Sequence, residues 1–128
     1  MKTRYTVVLS MIAGAAVGGT AIQGLHAQAK PKAYTVSELE ILDAAANDAF
    51  VPLIQAAQKA AGGRPFRTAG GRVVAFQGTP PMRVAITEWD SMEQVEAYQN
   101  SAAFKDLAPQ RDKAIKITRS YAVEAAPN

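Results

Sequence analysis

Seven side chains combine reactive or ligand-holding chemistry with a defined place in the sequence pattern: Arg67, Glu88, Trp89, Tyr98, Ser101, Arg111 and Arg119. Glu88 and Tyr98 are the two that could move a proton. Glu88 shares strand parity with Val84 and Ile86, so its carboxyl is expected at the margin of an apolar core, where desolvation raises the pKa toward the range useful for acid–base work. The competing expectation is a structural ion pair with Arg67 or Arg119. Arg67, Arg111 and Arg119 could each hold an anion, and for Arg111, beside Asp112, Lys113 and Lys116, helix-end electrostatics is a sufficient account. Trp89 offers an aromatic ligand wall or, alternatively, a core or interface anchor. Tyr98, Ser101 and Phe104 follow one another at i, i+3 and i+6, so neighbouring pairs share a helix face. They could line one wall of a pocket, or pack in the core with Ser101 capping the next helical piece.

The residues that are missing narrow the chemistry as much as those present. The chain has no cysteine and a single histidine, His26. Residues 1–29 have the three parts of a secretory signal: Lys2 and Arg4 at the start, an uncharged apolar run from Thr6 to Ile22, and Ala27-Gln28-Ala29 as a small-residue cleavage site. Cleavage after Ala29 would make Lys30 the new N-terminus, remove His26, and leave a domain of residues 30–128 in the periplasm or outside the cell. A retained membrane anchor is the alternative, weakened by Gly14, Gly18, Gly19 and Gly24 within and just after the apolar run. Without His or Cys the mature domain lacks the ligands of ordinary zinc sites, of haem bound through His or Cys, and of Cys-His or Ser-His-Asp catalysis. No cofactor and no metal site is expected. Acidic pairs such as Glu38 with Glu40 and Asp43 with Asp48 lack calcium-loop spacing and read as a solvated face. The glycine pairs Gly62-Gly63 and Gly70-Gly71 lack a following Lys-Ser or Lys-Thr and read as turns.

Loss of Lys2 and Arg4 leaves 12 basic against 11 acidic groups, a formal charge of +1. A nucleic-acid partner calls for a basic stripe, and none survives. No stable membrane association is expected after cleavage.

Placing these side chains requires six elements. Ala33 to Ile41 alternates as a strand. Asp43 suits an N-cap, and Phe50, Leu53, Ile54, Ala57 and Ala61 recur at helical spacing until Gly62-Gly63, with Pro52 expected to remove one hydrogen bond and bend the axis. Phe66 to Arg67 and Arg72 to Gln77 read as a second strand interrupted at Gly70-Gly71. Arg83 to Trp89 is the third, after the turn Gly78-Thr79-Pro80-Pro81. Two overlapping capping-box spacings, Asp90 with Glu93 and Ser91 with Gln94, start a second helix carrying Val95 and Tyr98. A further piece carries Phe104 and Leu107, and Pro109 opens another turn through Arg111. Ile117 to Glu124 is the last strand, with Ile117, Arg119, Tyr121 and Val123 on one face. The order β-α-β-β-α-β defines an α+β, ferredoxin-like sandwich. Both helices on one face leave the other bare, and because both parities carry large apolar groups, a sheet-to-sheet homodimer is expected.

Ala33-Tyr34, Arg67 to Gly71 (R-T-A-G-G), Glu88 to Ser91 (E-W-D-S), and Tyr98 to Phe104 followed by Arg111 together resemble the domain-of-unknown-function family 1330, a branch of the dimeric α+β barrel superfamily. In this sequence Thr68-Ala69 separates Arg67 from the glycine pair. The resemblance implies the dimeric barrel and no particular activity, since that superfamily includes cofactor-free monooxygenases, a lactone isomerase and haem-handling enzymes, with ligands held between sheet and helices. Three functions remain open: binding of a small apolar or aromatic carboxylate with Arg67 or Arg119 as anion partner; cofactor-free monooxygenase or isomerase chemistry through Glu88 or Tyr98; and a structural dimer without a ligand.

Overall fold

The computed structural model describes residues 30–127; the expected signal segment, residues 1–29, lies outside them. Strand β1 (Ala33–Ile41) turns Ala33 and Leu39 inward, 0% and 8% exposed, with Tyr34, Val36 and Glu38 on the other parity. Asp43 then stops the extended chain: its carboxylate accepts the Ala46 N–H at 2.8 Å and starts α1 (Ala44–Ala60). Pro52 lies within this helix without ending it. Gly62, at φ +93°, turns the chain out of the helix, its N–H donating to the Lys59 carbonyl at 3.0 Å.

Strand β2 is only Arg64–Pro65, followed by β3 (Arg83–Trp89), α2 (Met92–Gln99), α3 (Ala102–Lys105), α4 (Ala108–Ala114) and β4 (Ile115–Glu124). Pro109 sits in the first turn of α4, where its missing N–H is harmless. The sheet runs β2-β3-β1-β4 with every pair antiparallel, the ferredoxin-like order.

Two sequence expectations are corrected here. Phe66 still donates its N–H to the Ile86 carbonyl at 2.8 Å, but from Arg67 a turn closed by Gly71 N–H on the Thr68 carbonyl takes the chain off the sheet. The β-prone run Arg72 to Gln77 therefore has no ladder to join and forms no strand; Phe76 is 95% exposed. The last strand begins two residues early, at Ile115, and its alternation breaks. A bulge shifts the register between Glu38 and Leu39, so Ile117 lies opposite the inward Leu39 while Arg119, Tyr121 and Val123 lie on the bare face with Glu38, Val36 and Tyr34.

The helix side of the sheet carries two core clusters. One gathers Ala33, Trp89, Val95 and Tyr98; the other Leu39, Phe50, Ala114 and Ile115; Ile54 of α1 packs against both. Trp89 is 0% exposed, and its ring atoms would lie 2.9–3.0 Å from a Cβ placed on Gly63. Only a residue without a side chain fits against that indole. Gly63→Ala is expected to lower stability by about 1–3 kcal/mol, the overpacking range, and to lower the urea midpoint without changing the slope. A midpoint equal to wild type would show that the indole can move aside.

Candidate functional site

Between the two clusters lies a cavity of about 670 Å³, floored by the sheet and walled by α1 and by the loop after β2. Its position follows from parity. Thr35, Ser37 and Leu39 of β1 face it, as do Ala85, Thr87 and Trp89 of β3, and Phe50 and Ile54 of α1 supply the opposing apolar surface. Four polar groups of the floor pair with one another: Ser37 and Ser120 share a hydrogen bond at 3.0 Å, and the Trp89 indole donates to Thr35 Oγ1 at 3.2 Å.

Of the seven side chains singled out by sequence, four line this cavity: Arg67, Trp89, Tyr98 and Arg111. Tyr98 projects from α2 onto Trp89, ring centroids 5.0 Å apart, and meets Phe104 edge-on at 5.2 Å. It is 3% exposed, and its hydroxyl has no hydrogen-bond partner among the described residues. Burial pushes the phenol up to about 12, so it stays neutral at physiological pH and is a poor base. Arg111 Nε donates to Asp112 Oδ1 at 3.2 Å, and its guanidinium lies 5.6 Å from the centre of the Phe104 ring. Arg67 has no hydrogen bond or ion pair to any described residue.

The other three lie elsewhere. Ser101 caps α3, accepting the Phe104 N–H at 3.3 Å and donating to the Tyr98 carbonyl at 2.6 Å. Arg119 is on the bare face, with Nε 2.8 Å from Glu38 Oε2 and its guanidinium 5.8 Å from the Tyr121 ring centre. Glu88 also faces away from Tyr98, because it alternates with the inward Trp89. Its carboxylate accepts from Arg64 Nε at 2.7 Å and Lys32 Nζ at 3.2 Å, while Arg64 reaches Asp90 at 2.8 Å. The expectation of a raised Glu88 pKa is thus reversed: hydrogen bonds from Arg64 and then Lys32 hold the carboxyl below its ordinary value and outweigh desolvation. The arginine partner is Arg64, not Arg67 or Arg119. Strand pairing explains the choice, since Arg64 lies directly opposite Glu88.

Sequence reading missed Arg83. It occupies the first position of β3 on the inward parity, half-buried, and lines the same cavity as Arg67. Its parity with Ala85, Thr87 and Trp89 was the available sign.

The family described as domain of unknown function DUF1330 matches residues 32–126. No curated protein matches the sequence. Among solved structures, the RPA0582 protein of unknown function from Rhodopseudomonas palustris is similar at a TM-score of 0.58 and 13% identity, over 85% of this chain and 92% of that one. A conserved protein of unknown function from Bacteroides thetaiotaomicron, described as a possible oxidoreductase, gives 0.52 at 9% identity, over 76% and 100%. SnoaB, a cofactor-independent oxygenase from Streptomyces nogalater, gives 0.49 at 12% identity, over 77% and 96%. For the first two, at these identities, the likeness is one of fold.

The Glu88 cluster yields a pH prediction. A depressed carboxyl pKa contributes stability that is present above the ordinary value of 4.5 and is lost as pH falls through the lower folded-state value. Wild type should therefore exceed Glu88→Gln in stability at neutral pH, with the gap closing below about pH 4.5 in urea titrations run across pH. A gap that persists undiminished to low pH would assign the difference to packing.

Proposed function

Because the chain belongs to the DUF1330 family, whose description assigns no reaction, we propose from its cavity that the domain binds a small apolar or aromatic carboxylate between sheet and helices. The observation that carries this reading is the pairing of apolar walls with Arg67, a guanidinium that no carboxylate among the described residues neutralises. An aromatic ring would lie against Phe50, Ile54 and the edge of Trp89, and the carboxylate would take the two parallel N–H groups of Arg67. Binding is favoured over proton transfer, since Glu88 is on the other face and Tyr98 stays neutral. Titration calorimetry with benzoate and naphthoate tests the reading. Arg67→Leu should weaken binding by about 1.5 kcal/mol, roughly tenfold, the low end for a charge-assisted hydrogen bond because Arg67 is solvated in the free protein. Equal affinity in both proteins would reject Arg67 as the anion partner.

The same proposal includes a second copy of the chain. Val36, Val84, Ile86, Tyr121 and Val123 share the face that no helix covers, with Tyr121 47% and Val123 53% exposed. Apposed sheets would bury that patch. Light scattering at micromolar concentration is expected to return twice the monomer mass, and Tyr121→Glu to halve it. A monomer mass for the wild type would overturn the dimer.

A further inference from the structure

Among the described residues three arginines line the cavity, Arg67, Arg83 and Arg111, and no aspartate or glutamate does. Arg111 is neutralised by Asp112 at 3.2 Å. Arg83 donates only to the carbonyl of its neighbour Met82, at 3.4 Å, and Arg67 to no described residue. The facing polar groups from α1 are Asn47, Gln55 and Gln58, which carry no charge. Two guanidiniums, the exposed Arg67 and the half-buried Arg83, therefore border one largely apolar cavity without a counter-charge among the described residues, and each is open to an anion brought by a ligand.

The two stand on different elements. Arg67 opens the turn that leaves the sheet after Phe66, whose N–H bonds to the Ile86 carbonyl, whereas Arg83 opens β3 three residues before Ile86. Two unpaired guanidiniums carried by separate elements can each take an anionic group of their own. Building on the carboxylate-binding reading, we infer that the ligand is an aromatic dicarboxylate, with Arg67 holding one carboxylate and Arg83 the other.

Calorimetry with benzoate, isophthalate, terephthalate and phenyl phosphate tests this on the wild type and on Arg83→Gln, Arg83→Lys and Arg67→Gln, each checked by thermal melting. A dicarboxylate should bind about tenfold or more tightly than benzoate, as one added charge-assisted hydrogen bond implies. Arg83→Gln should abolish that preference, weakening the dicarboxylates far more than benzoate, Arg83→Lys should restore part of it, and Arg67→Gln should weaken every acid. Equal affinity for benzoate and both dicarboxylates, or a preference that survives Arg83→Gln, would overturn the inference while leaving carboxylate binding intact. Tightest binding of phenyl phosphate would also overturn it, by pointing to a single compact dianion. Failure of all four compounds to bind would remove the carboxylate-binding reading itself, and this inference with it.

Discussion

The indole of Trp89 is the contact on which the helix side of the sheet depends. It ends β3, is fully buried, stacks on Tyr98, donates to Thr35 and lies against the backbone at Gly63. These contacts join the third strand, the second long helix, the first strand and the exit from α1. A large aromatic group with one polar atom can do this only if its N–H is satisfied, and Thr35 on the neighbouring strand supplies the acceptor. With the indole fixed, the alternation of β3 is fixed as well, and Glu88 must face the other way. Strand parity therefore separates the carboxylate from the aromatic cluster, however close the two are in sequence.

The cavity follows from an unequal filling of the same side. Trp89, Tyr98 and Phe104 fill one end, and Leu39, Phe50 and Ile115 the other. Ile54 bridges them from α1, but the middle of the sheet carries Thr35, Ser37, Ala85 and Thr87, which are too small to reach the helix. Small and hydroxylic residues at the centre of a sheet, with large ones at its two ends, leave room for something other than protein. The bulge opposite Glu38 and Leu39 contributes as well, because it turns Ile117 inward to the cavity while leaving Arg119 and Tyr121 outside.

Much of the fold was legible because its determinants are local. Asp43, Ser91 and Ser101 announce helix starts by their own chemistry, and each side chain caps the helix expected of it. The Gln94 side chain returns to the N–H of Asp90 at 3.0 Å rather than to that of Ser91, a detail that spacing alone does not fix. What sequence could not give depends on partners distant in the chain. The run Arg72 to Gln77 has every local mark of a strand, yet a strand exists only where an edge accepts its hydrogen bonds, and the turn at Thr68 to Gly71 leads it away. The bulge in β4 is likewise a property of pairing with β1. Glu88 was correctly read as near an arginine, but its partner was set by register, which places Arg64 opposite.

The two faces of the sheet differ in electrostatics, and this difference carries the functional reading. On the bare face charges are paired: Glu38 with Arg119, and Glu88 with Arg64 and Lys32. Such a surface is close to neutral and can be covered by another apolar surface without stranding a charge. On the helix side, the cavity between the clusters holds arginines and, among the described residues, no acids. Both faces combine apolar groups with charge, so composition does not distinguish them; pairing does. A face whose charges are already satisfied suits association, whereas a cavity in which Arg67 and Arg83 lack counter-charges among the described residues suits an anion brought by a ligand.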